Sequence, residues 1–127
     1  KSKEIQLKRR SIWDRYFQEL SQWASYKGVS MPHVPEYCDQ SYHMFYMLLP
    51  DKLTRDEFIK YLIHHDITST FHYLPLDTSV MGSKIRLADQ CDCPVSANSS
   101  NLIVRLPLFF DLQSEDQSKV IEIIKQF

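Results

Sequence analysis

His64, His65 and Asp66 place two imidazoles and a carboxylate in consecutive positions, the residue types that hold a divalent metal. Consecutive residues on a helix diverge by about 100°, so both imidazoles cannot easily meet one ion as an i,i+4 pair would. A helix C-terminus also favours histidine through its dipole, and that structural role is the preferred reading. Cys91-Asp92-Cys93 could open a zinc site, but no second Cys/His pair follows at a suitable spacing. Incidental thiols in a loop are the simpler reading. Gly28 and Gly82 are the only glycines, too few for a glycine-rich phosphate cradle. His72 and Tyr73 join an imidazole to a phenol at the end of a strand-like run. Adjacent strand positions point to opposite faces, so one of the two can face a cleft. The plainer alternative is a strand-end aromatic beside a solvent-facing histidine.

The elements that must carry these residues follow from periodicity. Ile12, Trp13, Tyr16, Phe17, Leu20, Trp23 and Ala24 recur at helical spacing within a long helix over 3–27, and Gly28 stands where a left-handed cap belongs. Pro32 and Pro35 introduce an extended stretch. The run from His43 to Leu49 reads as a strand covered on both faces. Thr54 and Glu57 have capping-box spacing ahead of a helix ending near His65. Ile67–Tyr73, rich in β-branched and aromatic residues, reads as a second strand. The polar stretch 77–101 reads as a long loop with a short helix begun near Ser96. Leu102–Leu106 is again apolar, and Ser114 with Gln117 suggests a second capping box before a terminal amphipathic helix. The expected class is α+β, a small sheet with helices packed on one face.

A length of 127 residues suits one domain, and 43% hydrophobic with 24% charged residues is ordinary for a globular chain. Fifteen basic against 16 acidic residues give a net charge of −1, which offers no general attraction to nucleic acid or anionic lipid. Three cysteines, two of them separated by one residue, make a poor disulfide framework and favour a reducing, cytoplasmic setting. No apolar run approaches the roughly 20 residues that span a bilayer. Lys1, Lys3, Lys8, Arg9 and Arg10 crowd a helix start that the dipole disfavours for positive charge. Either the chain continues upstream, as the lack of an initiating Met also suggests, or this is a frayed, solvated end.

Phe71-His72-Tyr73-Leu74-Pro75-Leu76 resembles a segment of the DegT/DnrJ/EryC1/StrS family of sugar aminotransferases. His43-Met44-Phe45-Tyr46 looks like the first strand of that family's C-terminal domain. Thr54-Arg55-Asp56-Glu57-Phe58 looks like the start of its next helix. Cys93-Pro94-Val95 and Leu106-Pro107-Leu108 look like the proline-bearing segments before the final helix. Within the family, the nearest likeness is to enzymes that aminate dTDP-4-keto-6-deoxyglucose to the 4-amino-4,6-dideoxygalactose product.

The resemblance implies that residues 1–127 are the small C-terminal domain of a fold-type I transferase, with a long N-terminal linking helix and a mainly antiparallel sheet. It implies a homodimer that uses glutamate as amino donor, with pyridoxal phosphate bound by an N-terminal domain absent from this chain. In the family the segment matching His72 and Tyr73 lies near the nucleotide-sugar site at the dimer interface, so Tyr73, His72 and Asp77 are the expected substrate-binding residues. Close relatives carry histidine where Asp77 stands. An imidazole can donate to a sugar or phosphate oxygen, whereas a carboxylate only accepts and repels a pyrophosphate. Lys84, in Gly82-Ser83-Lys84, is the one lysine beside small residues, but it lies in a polar loop without a preceding core strand. No catalytic, cofactor-binding or metal-binding residue is therefore expected here. A free-standing α+β interaction or regulatory module is the competing reading; nucleic-acid binding through the basic start is a third. A domain of a larger enzyme should leave an apolar flank exposed on the first helix and an open edge near Tyr73. A finished module should cover both.

Overall fold

The computed structural model describes residues 2–85 and 93–127. Its elements run α1 (Ser2–Lys27), β1 (Phe45–Leu48), α2 (Lys52–His64), α3 (Val80–Ile85), α4 (Pro94–Leu102), β2 (Ile103–Leu106) and α5 (Ser114–Gln126). The apolar stripe of α1 buries Ile12, Trp13, Tyr16, Leu20, Trp23 and Ala24, while Phe17 stacks on Trp13 at the rim. The helix stops at Gly28, whose φ of +67° is the left-handed conformation that disfavours a side chain. Nothing lies within 4 Å of a Cβ placed there, so backbone conformation alone selects glycine. The N–H of Gly28 donates to Ser25 O, and that of Val29 donates to Ala24 O at 2.8 Å, which completes a Schellman cap.

β1 and β2 pair antiparallel, with Phe45 opposite Leu106 and Met47 opposite Val104. These four side chains are buried on one face. Trp13 and Tyr16 of α1 meet Phe45, and Trp23 and Phe127 meet Phe58 of α2, so helices close that face with aromatic contacts. α5 lies beside α1, running in the same sense. Gln117 Nε2 donates to Ile12 O at 2.7 Å, Arg15 Nη2 to Ser118 Oγ at 2.8 Å, and Lys27 Nζ to Phe127 O at 2.8 Å. The opposite sheet face carries Tyr46, Leu48, Ile103 and Arg105, all half-buried. β1 is thus covered fully on one face only, unlike the expected strand.

Several local expectations are corrected. Asp51, not Thr54, caps α2; its carboxylate accepts from Thr54 N at 2.9 Å and Thr54 Oγ1 at 2.8 Å. The backbone N–H of Thr54 is the main cause that holds the Asp51 carboxyl below its ordinary range. Asp is a stronger cap than Thr, and it won the position. Gln113 occupies the N-cap of α5 without a side-chain cap bond, its Nε2 donating to Asp111 O instead, and Gln117 is turned inward to α1 rather than back to the cap. Ile67–Tyr73 does not form a strand. Only Thr70 bridges the sheet, through Arg105, because prolines and polar turns soon divert the chain. Part of the expected loop is helical: α3 was unforeseen, and α4 begins at Pro94, ahead of Ser96, with proline at its favoured first position. Among the described residues, no helix is long and apolar enough to cross a membrane.

Candidate functional site

Beyond the bridge from Thr70 to Arg105 of β2, the chain continues as a strap, 71–79, that leads into α3. Two arginines back its start. Arg55, only 5% exposed, donates from Nε to Asn101 O at 2.9 Å and sets its guanidinium 4.8 Å from the ring centre of Phe71. Arg105 bonds Thr70 through its backbone, donating to Thr70 O at 2.8 Å, and its Nη1 lies 2.9 Å from His72 Nδ1. Further on, Ser79 holds the turn: its hydroxyl donates to Leu76 O at 2.7 Å and accepts from Gly82 N at 2.9 Å. A Cβ on Gly82 would sit 1.8 Å from Leu76 O, so only glycine lets α3 fold back so closely.

His72 and Tyr73 were expected on opposite faces, and they are not. Their rings pack 4.5 Å apart, because the segment has left the regular pleat on which alternation depends. Tyr73 is 73% exposed and His72 half-buried. Asp77 is half-buried four residues on; none of the described hydrogen bonds ties it to His72 or Tyr73. The structure therefore brings two of the three candidate residues together.

Phe71, Tyr73, Leu74, Leu76 and Ser79 line an open groove of about 440 Å³. Leu76 is 83% exposed and Val80 79%, and Leu74, Met81 and Ile85 are likewise open. So many exposed large apolar side chains within one short segment form a candidate contact surface. The α1 flank behaves differently from the expected open one: its stripe is filled by this chain's own sheet and helices, and only single side chains such as Leu7 and Tyr26 stand out. A separate hollow of about 260 Å³, lined by Trp13, Pro32, His33, Ser41, His43 and Tyr46 among others, contains none of the candidate residues.

Every described lysine is exposed, Lys84 included, which sits on the short α3. A lysine that forms an imine readily must lose its proton in a desolvated pocket. The described residues do not supply such a pocket, so they do not fit pyridoxal phosphate on their own. His64 and His65 lie nearly perpendicular, at 81°, and His65 packs edge-on to Tyr61. No cluster of metal-ligating side chains occurs among the described residues. Cys91 and Asp92 of the Cys-Asp-Cys pattern lie outside them.

Arg55 and Arg105 escaped the sequence reading. Arg105 did leave a signal, a lone charge inside the apolar run Ile103–Leu106, which a strand tolerates when the charge has a task at its edge.

Comparison with solved structures places the whole arrangement. The aminotransferase TlmJ from Streptoalloteichus hindustanus superposes with a TM-score of 0.84 at 25% identity, over 98% of this chain and 32% of that one. A DegT DnrJ EryC1 StrS aminotransferase from Brucella abortus gives 0.79 at 24% identity, over 97% and 31%. NtdA from Bacillus subtilis, solved with bound cofactor PMP, gives 0.80 at 17% identity, over 96% and 28%. The chain spans about a third of the length of the proteins it matches. The DegT/DnrJ/EryC1/StrS aminotransferase family model matches residues 1–125, and the chain belongs to that family.

Proposed function

We propose that residues 1–127 form the C-terminal, smaller domain of a cytoplasmic, pyridoxal-phosphate-dependent sugar aminotransferase. Its reaction passes an amino group from glutamate to a nucleotide-linked 4-keto-6-deoxy sugar such as dTDP-4-keto-6-deoxyglucose. The exposed apolar side chains of the strap and of α3, between Phe71 and Ile85, carry this reading, since they offer a surface to the rest of such an enzyme. The strap would close over the sugar nucleotide at a homodimer interface. Tyr73 and His72 supply polar groups beside an apolar wall, the composition typical of small-molecule sites. Asp77 accepts a hydrogen bond from a sugar hydroxyl and keeps clear of the pyrophosphate, whose charge it would repel. The cofactor, when bound by the larger part of the enzyme, supplies the electron sink. This domain binds and orients the sugar and excludes water.

The coding sequence upstream of Lys1 tests the assignment. A continuous reading frame for a large domain with a lysine in a strand–loop setting supports it. A stop codon directly before Lys1 overturns it in favour of a free-standing module. Mixed with pyridoxal phosphate, the 127-residue chain should give no saturable imine absorbance; stoichiometric imine formation at one lysine would place the catalytic group here.

A further inference from the structure

We propose that Arg105 is a positioning residue that fixes which nitrogen of His72 carries the ring proton. The inference rests on the proposed role of His72 at the sugar site and adds the residue that sets its polarity. A guanidinium has only donors and keeps its proton in proteins. At 2.9 Å from Arg105 Nη1, the Nδ1 of His72 must therefore accept. Nε2 then bears the proton and becomes the ring's single donor; among the described residues it has no partner.

Arg105 is suited to this because it is held on both sides. Its backbone pairs with Tyr46 of β1 and bridges Thr70, the residue just ahead of the strap. Its side chain reaches His72, two residues beyond that bridge, so one strand residue sets the height of the strap and the state of its imidazole. Fixing the tautomer matters for recognition. A keto or phosphate oxygen can only accept, so the pocket must present N–H toward it. The other tautomer would present a lone pair and lose the contact. A lone donor opposite an acceptor-only ligand atom discriminates well, because a mismatch leaves a desolvated group unpaired.

The direct test is a long-range proton–nitrogen correlation spectrum of the nitrogen-15-labelled 127-residue chain at about pH 8, above the ordinary histidine range. His72 should show a protonated Nε2 and a bare Nδ1. The Arg105→Met variant should show both tautomers, and Arg105→Lys, whose ammonium likewise only donates, should restore the single form. A wild-type spectrum with the proton on Nδ1 or shared between both nitrogens would overturn the proposal without any variant having to fold. An unchanged single tautomer in a folded Arg105→Met would do the same. Full activity of a His72→Ala enzyme, with the tautomer as described, would count against the sugar-site reading alone.

Discussion

Along α1, Tyr16 and Leu20 retain no exposed surface, whereas Tyr73, Leu76 and Val80 keep most of theirs. Both stretches are rich in aromatic and aliphatic side chains, yet only the first uses them to fold. α1 repeats its apolar residues at helical spacing, so one face meets β1, α2 and α5 together. The strap is broken by Pro75 and a serine-held turn, and its apolar residues point away from the core. Hydrophobicity stabilises the first region; the second is held by backbone bonds, two arginines and one glycine. An apolar surface that the fold does not use is available for recognition.

The contrast can be broken from the core side first. Phe45 is fully buried between Trp13 and Tyr16, and Phe45→Ala should cost about 3–5 kcal/mol in chemical denaturation. A loss under ~1 kcal/mol would mean the core is not the organising region. Gln117→Ala should cost about 0.5–1.5 kcal/mol, because it removes the buried bond from Gln117 Nε2 to Ile12 O, a carbonyl that α1 still pairs within the helix. The smallest effect concerns Glu19. Its hydrogen bond from Arg15, with help from Lys125, holds its carboxyl below the ordinary 4.5. A depressed folded value stabilises the protein above the unfolded value, and that contribution disappears as pH falls through the lower folded one. Acid titration of stability should therefore be slightly shallower below pH 4.5 in Glu19→Gln. The change should be slight, since the Glu19 side chain is 38% exposed and solvent screens the pair. A large change there would show that surface charge contributes more to the α1–α5 seam than its buried bonds do.

How much of this was legible in the sequence follows the same division. The α1 stripe, the Gly28 cap, β1 and the terminal helix were readable because long periodic segments and a left-handed glycine are local signals. The caps of α2 and α5 were misassigned because residue spacing does not say which residue takes the extended backbone that precedes the helix. Asp51 had the extended conformation and the stronger acceptor. Ile67–Tyr73 had the composition of a strand, but pairing is a property of two segments, and only Thr70 finds its partner. Tyr73, His72 and Asp77 are candidates only through the family resemblance, and the packing of His72 on Tyr73 has no sequence signal, since ring contacts across an irregular bend have no period. Gly82 was visible as a rare glycine, but its close approach to Leu76 depends on a turn that no spacing rule specifies.

The central claim, that the strap serves the sugar site and not the fold, is tested most directly by Tyr73→Ala in the enzyme from the complete gene. One measurement is decisive: kcat/KM for amination of a nucleotide-linked 4-keto-6-deoxy sugar, read beside the unfolding midpoint of the 127-residue chain. The expected result is at least a tenfold fall in kcat/KM, ~1.4 kcal/mol of transition-state stabilisation, with stability unchanged within about 0.5 kcal/mol. Wild-type kcat/KM, or a fall in kcat/KM matched by a comparable loss of stability, would contradict it.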